Sequence, residues 1–205
     1  MTEDILEQIG ADWLLSNPGT FIKTNLKYRP LPTSKAYNQN QDQIHSDIDI
    51  ISININNLDT IKVFNCKSWL DGFDCRKFLE KLNDEKGRQS MYGGKPIWKH
   101  FRELTSEKWT DAFIAKLLKE NPHAKQIEYY VLCIKSKNKE IASEWIELPV
   151  IQQVFRDKKL KICKIGCKDL NDIIDGIAPP EPGTVVNSHI GRTLQILRAA
   201  NKLNN

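Results

Sequence analysis

Residues 45–69 constrain the fold of this chain more than any other stretch. Two β-branched runs, 45–53 and 61–69, flank the turn-forming Asn56-Asn57-Leu58-Asp59 and read as a β-hairpin. Alternation on the first strand puts Asp47 and Asp49 on one face and Ile48 and Ile50 on the other. On the second strand Asn65 and Lys67 share a face, with Phe64 and Cys66 turned to the opposite layer. Pairing of the two strands brings carboxylates, an amide and an ammonium to one sheet end, beside Trp69 and Gly72. Burying a lysine and a carboxylate on adjacent apolar strands is costly unless they pair or hold a cation, so the hairpin predicts a site as well as a scaffold.

The segments around the hairpin predict an α/β domain. Thr2 caps a first helix with Glu3 and Asp4 in its first turn and Ile5, Leu6, Ile9, Trp13 and Leu14 at helical spacing; Asn17-Pro18-Gly19 ends it. Residues 20–26 read as a strand and 28–43, with two prolines and little apolar content, as a loop. From 74 to about 120 the pattern is helical, one stripe being Phe78, Leu79 and Leu82 and another Trp109, Phe113, Ile114, Leu117 and Leu118. The run 126–136 is a buried strand, nearly unbroken in aromatic and β-branched residues. A helix around 143–155, a strand around 159–165 and a helix around 170–177 follow. Residues 1–177 therefore form one domain, 178–187 a Pro-rich linker, and 188–205 a C-terminal helix with Arg192, Arg198 and Lys202 on its surface. That helix is open to three placements: against a second copy in a dimer, over DNA, or on its own domain.

Composition narrows the classes of function. At 205 residues the chain can bury an enzyme-sized core without disulfides. No apolar stretch approaches a membrane span, and the N-terminus begins with acids, so a cytoplasmic protein is expected. Five cysteines, an odd number with no CxxC, read as reduced thiols. Gly93-Gly94-Lys95 lacks the spacing and the following Ser/Thr of a phosphate-binding P-loop. The net charge of +4 is split: residues 1–60 carry four cations and eight acids, so 61–205 carry +8. Such a split suits a cation site beside a polyanion track.

The order helix, strand ending in Asp, turn, and a strand carrying Asn65-Cys66-Lys67-Ser68 resembles the PD-(D/E)xK nuclease superfamily over roughly residues 3–135. The resemblance implies a restriction-endonuclease-like fold, a mixed central sheet flanked by helices. It also implies Mg²⁺ (or Mn²⁺)-dependent hydrolysis of DNA, expected to be double-stranded, in restriction or DNA processing in prokaryotes; a two-fold homodimer would suit a nuclease that cuts both strands. Carried over, Asp49 is a metal ligand, joined by Asp47 or by Glu7 of the first helix, and Lys67 resembles the catalytic lysine that orients the attacking water. Asn65 stands where the family has Asp or Glu; it keeps an oxygen for the metal but supplies no charge. Three readings of Asn65 stay open: a native variant that recovers charge from Asp47 or Glu7, a degenerate site kept for nucleic-acid binding, and a substitution that traps substrate.

A basic stretch supports a nucleic-acid partner. Between Glu85 and Glu103 there is no acid, while Lys86, Arg88, Lys95, Lys99 and Arg102 are interleaved with Tyr92, Trp98 and Phe101 and joined by His100. These cations can neutralise phosphates, and Gly87, Gly93 and Gly94 allow close backbone approach. The alternative is a region whose aromatics pack inward while its charges face water.

Overall fold

A computed structural model describes residues 4–178 and 188–200 of the chain. Thr2, Glu3, Lys202 and, apart from Ala178, the expected Pro-rich linker lie outside the described residues. The centre is a mixed five-stranded sheet of β1 (Thr20–Tyr28), β2 (Ser46–Asn54), β3 (Asn57–Lys67), β4 (Gln126–Cys133) and β5 (Lys161–Asp169), in that spatial order. β1, β2 and β3 are antiparallel neighbours, whereas β4 runs parallel to β3 and β5 parallel to β4. The carboxyl ends of β3, β4 and β5 thus meet at one edge of the molecule, the edge where open α/β sheets place their ligands.

Helices cover both faces. One face carries α1 (Ile5–Leu15), whose Leu6, Ile9 and Leu14 pack with Ile50, Phe64, Tyr130 and Leu132. The opposite face holds the larger core. There the helices α2 (Cys75–Asn83), α3 (Glu107–Glu120) and α4 (Pro149–Phe155) close over Ile51, Ile61, Val63, Ile127, Tyr129 and Val131. Trp109, Phe113 and Leu117, spaced four residues apart on α3, are fully or almost fully buried, as helical periodicity predicts for a core-facing stripe. Burial of each such side chain contributes about 2–3 kcal/mol before its ordering entropy is subtracted.

Several expected boundaries shift for local reasons. Asp4, not Thr2, caps α1, its Oδ1 accepting the Leu6 N–H at 2.9 Å. The loop 28–43 contains one helical turn, Gln39–Asp42, which points Asp42 inward to accept from the Asn38 N–H (2.6 Å), Lys108 Nζ (2.6 Å) and Trp109 Nε1 (3.2 Å). The helical stretch 74–120 is broken into segments. Asp84 ends α2 and caps the short helix Glu85–Gln89, and Gly93 and Gly94, at φ 53° and 80°, turn a small hairpin that pairs Met91–Tyr92 with Lys95–Pro96. The helix expected around 143–155 is a 3₁₀ stretch, Lys139–Glu147, followed by α4 with Pro149 in its first turn.

The last two helices form where expected. α5 (Leu170–Ile177) opens with a reciprocal capping box between Asp169 and Asp172. α6 (His189–Ala199) begins at Ser188, whose Oγ accepts the Gly191 N–H at 2.9 Å. Of its three possible placements, the structure puts it on its own domain. Ile190 and Leu194 pack against the α1-side cluster, and the Arg198 guanidinium reaches the Ala178 carbonyl and Asp175.

Candidate functional site

The site begins where β2 leaves β3. Their pairing runs from Asn54/Asn57 to Ile50/Phe64 and stops there, so the first N–H of β3 beyond the fork, that of Cys66, has lost its strand partner. Asp49 supplies the replacement: its Oδ2 accepts the Cys66 N–H at 2.6 Å. Strict alternation fails at this point. Ile48 packs in the larger core with Ile51, whereas Ile50 packs beneath α1, because the strand turns over as it departs.

α1 brings a second carboxylate to the fork. Asp4, besides capping the helix, accepts a short hydrogen bond from Ser68 Oγ just past the end of β3. That bond fixes the start of α1 at the strand end and leaves Glu7, in the first turn, facing Asp49. Burial, then repulsion from Asp49 and Asp4, pushes the Glu7 pKa up to about 7, against a hydrogen bond with Asn25. Burial likewise raises Asp49 to about 6, opposed by the Lys67 cation and the Cys66 N–H and reinforced by Glu103 and Asp47. Asp47 is exposed, level with Lys27 of β1, and acts on both carboxylates from the outer rim.

Lys67 and Asn65 project from β3 toward the larger core. Burial lowers the Lys67 pKa, and Asp49 and Glu103 are the anions that oppose the shift. Its ammonium donates a short hydrogen bond to Asn65 Oδ1 and lies 5.5 Å from the centre of the Phe101 ring. Asn65 Nδ2 in turn donates to Glu103 Oε1 at 3.2 Å and to the His100 carbonyl at 3.4 Å.

Glu103 is the residue that sequence reasoning missed. It is only 5% exposed. Its Oε1 also accepts from Tyr129 OH at 2.5 Å and its Oε2 from Tyr28 OH at 3.1 Å. Burial and the adjacent Glu103 charge raise the pKa of both phenols, which stay protonated donors. The result is a relay of side chains from Lys67 through Asn65 to a buried carboxylate held by two tyrosines. In sequence Glu103 marked only the end of an acid-free stretch; the buried Phe101 and Leu104 on either side were the available signal.

The predicted basic residues divide by what they touch. Lys86 and Lys95 are exposed. Lys95 lies close enough to Lys67 and Arg102 for their charges to add to partial desolvation in lowering its pKa. Arg88 donates to the Leu82 carbonyl at 2.8 Å, and Arg102 stacks 4.4 Å over the Trp109 ring; both serve local structure. Lys99 is half-buried over Trp98. His100 is buried, its Nε2 within 2.9 Å of the Tyr92 carbonyl, and burial drives its pKa down to about 4, so it is neutral near pH 7. Tyr92 and Phe101 pack inward with Trp69, Phe73 and Phe78.

Glu7, Asp49, Asn65 and Lys67 are thus brought to one place, with Asp47 at its rim and Lys95 beside it; Lys86 and Arg88 belong to the separate short helix that follows α2. Among the described residues no group of three or more His, Cys, Asp or Glu side chains is placed to hold a metal ion. The carboxylate oxygens of Glu7 and Asp49 are nonetheless hard donors of the kind Mg²⁺ takes, and Mg²⁺ commonly uses only one or two protein carboxylates with water and substrate phosphate completing its shell. Asn65 Oδ1 is already engaged by Lys67. Among the described residues no helix is long and apolar enough to cross a membrane. No protein-family model matches the chain significantly, and neither does any curated protein or solved structure.

Proposed function

We propose that the chain is a Mg²⁺-dependent endonuclease of restriction-endonuclease-like fold that hydrolyses phosphodiester bonds in DNA. The observation that carries this reading is the fork itself: Asp49, Glu7 and Lys67 converge, half-buried, where β2 leaves β3. Burial first, and then repulsion among the carboxylates, raises the pKa of Glu7 and Asp49, and a bound cation would offset both. A mixed five-stranded sheet with helices on both faces also agrees with the mixed central sheet flanked by helices that the superfamily resemblance implies.

Glu7 and Asp49 would hold the metal, with Asp47 drawing it in from the rim. A bound divalent cation supplies a water of lowered pKa and a counter-charge for the scissile phosphate. Lys67 places an ammonium beside the same phosphate, where it offsets charge developing on the non-bridging oxygens. Asn65 orients that ammonium through its Oδ1, and Glu103 fixes Asn65 in turn, so Asn65 acts here as a positioning residue. Lys95, on its two-glycine hairpin, offers a phosphate contact one step further along the strand.

A second reading, a nucleic-acid-binding module without catalysis, is favoured by one observation. Asn65 contributes no charge and has both polar ends engaged within the protein. Incubating supercoiled plasmid with the protein and Mg²⁺ or Mn²⁺ separates the two. Cleavage by the parent, reduced at least 100-fold in Lys67→Ala and Asp49→Ala, is expected for the nuclease. Cleavage only by Asn65→Glu, with salt-dependent binding by the parent, is the outcome expected of the binding module. Neither cleavage nor binding in any variant would dismiss both readings.

A further inference from the structure

Three of the five cysteines meet near the ends of β4 and β5, on the other side of β3 from its fork with β2. Cys133 closes β4, Cys167 lies near the end of β5, and Cys75 opens α2. Cys75 and Cys133 are fully buried, while Cys167 sits half-buried on an edge strand with a neighbour on one side only. The Cys133 and Cys167 sulfurs are 3.8 Å apart, and Cys133 Sγ also lies 3.5 Å from the Lys168 carbonyl. The fifth thiol, Cys163, is on the same strand and exposed, and its Sγ lies 3.3 Å from the Ile127 carbonyl. No set of three or more such side chains among the described residues is placed to hold a metal, these sulfurs included.

We infer that Cys167 is a peroxide-reactive thiol whose sulfenic acid is resolved by Cys133 to a disulfide. In the first step the Cys167 thiolate attacks a hydroperoxide: an S–O bond forms as the O–O bond breaks, giving Cys167–SOH and hydroxide, or from an organic peroxide an alkoxide that water protonates to the alcohol. In the second, Cys133 sulfur attacks the sulfenic sulfur. The S–S bond forms, the S–O bond breaks, and the thiol proton leaves with the hydroxyl group as water. Two thiols are oxidised by two electrons and the peroxide is reduced.

The surroundings support this division of labour. Hydrogen bonds from Cys133 and then Cys75 hold the Cys167 pKa at about 5, against burial and against the Asp169 and Asp172 carboxylates. The Lys139 ammonium, paired with Asp172 at 2.6 Å, is the nearby cation. The hydrogen bond to its sulfur neighbour Cys167, and then burial, keep Cys133 protonated until it reacts. Closing the sulfurs from 3.8 Å to a bonded ~2.05 Å requires β5 to move, which an edge strand permits more readily than an inner one. The crosslink falls beside the position of β4 level with Lys67.

Cys163 provides an internal comparison, because accessibility alone makes it the first thiol to react. The folded chain is alkylated with iodoacetamide at pH 6.5, and separately treated with one equivalent of hydrogen peroxide in the presence of dimedone, with peptides mapped by mass spectrometry. Cys167 is expected to alkylate about fivefold faster than Cys163, its larger thiolate fraction outweighing its lower intrinsic nucleophilicity. Peroxide is expected to give a Cys133–Cys167 disulfide in the parent and in Cys163→Ser, a dimedone adduct at Cys167 in Cys133→Ser, and neither product in Cys167→Ser. Faster reaction at Cys163, or a dimedone adduct at Cys167 in the parent with no disulfide, would overturn the inference. Should Cys133→Ser fail to fold, the parent and Cys167→Ser, altered at a half-buried position, decide it.

Discussion

Glu103 is the residue on which the polar side of the site depends. Three donors, from the buried Tyr28 and Tyr129 and from Asn65, converge on one buried carboxylate. Removing a shared acceptor costs more than removing one bond, because each orphaned donor keeps its desolvation penalty. Glu103→Ala is therefore expected to lower unfolding stability by about 3–5 kcal/mol in urea denaturation, and Glu103→Gln, which keeps one acceptor oxygen, by about 1–2 kcal/mol. Equal losses in the two variants would show that packing, not hydrogen bonding, dominates there. Glu7 behaves in the opposite sense. Between the ordinary carboxyl value of 4.5 and about 7 the folded chain retains a proton at Glu7 that the unfolded chain has released, so stability falls as pH rises through that window. Glu7→Gln should change little below pH 4.5 and stabilise the fold above pH 7 by about 2 kcal/mol after solvent screening. A pH-independent effect would argue that Glu7 is neither desolvated nor set against Asp49. The sequence put Asp49 and Lys67 on neighbouring strands of one hairpin, although alternation breaks down around Asp49, and Glu7 entered only through the superfamily resemblance; for Glu103 it offered no more than its apolar neighbours, because the partners lie 26 to 75 residues away.

At the scale of elements, the hairpin was legible and the region after it was not. β2 and β3 form because β-branched residues leave the chain few other options, and their length was read to within a few residues. The stretch 74–120 has helical periodicity throughout, yet Asp84 prefers capping to helix interior, and two glycines with positive φ must turn. Periodicity reports which residues face the core; it does not report where backbone donors find better partners than the next turn. The approach of α1 to the sheet was equally hidden. A methyl group added at Gly10 would lie 2.5 Å from Leu132 Cδ2 and 3.1 Å from Ile50 Cδ1, so the helix sits this close only because position 10 has no side chain. Gly10→Ala should cost about 1–2 kcal/mol of stability, overpacking outweighing the gain in helix propensity. Because α1 must then lift from the fork, the pKa of Glu7, followed by NMR titration, should fall from about 7 toward 4.5. An unshifted Glu7 would mean that the helix absorbs the methyl group by rearranging Leu132 instead.

On the scale of the whole molecule, the uneven charge of the sequence resolves into an acidic fork and cations of two kinds. The fold itself depends on non-local pairing, β4 reaching β3 across more than fifty intervening residues, and hydrophobic patterning has no means of specifying which strand it joins. The cations follow a simpler rule: a side chain already hydrogen-bonded or stacked within the protein has less to offer a phosphate. If the chain binds duplex DNA through the face beside Lys67, the logarithm of affinity should fall linearly with the logarithm of salt concentration, each neutralised phosphate contributing a slope of about −0.9. Lys95→Ala, at an exposed position on the glycine hairpin, should reduce the magnitude of that slope by about one while leaving the unfolding midpoint unchanged. Arg88→Ala should do the reverse, because its guanidinium holds the Leu82 carbonyl at the end of α2: stability drops by about 1 kcal/mol and the slope stays the same. Fluorescence anisotropy of a labelled duplex between about 50 and 200 mM salt measures the slope. A slope that responds to Arg88 but not to Lys95 would move the nucleic-acid face from the strand ends at Lys67 to the short helix after α2, and with it the argument that binding and the carboxylate fork belong to one site.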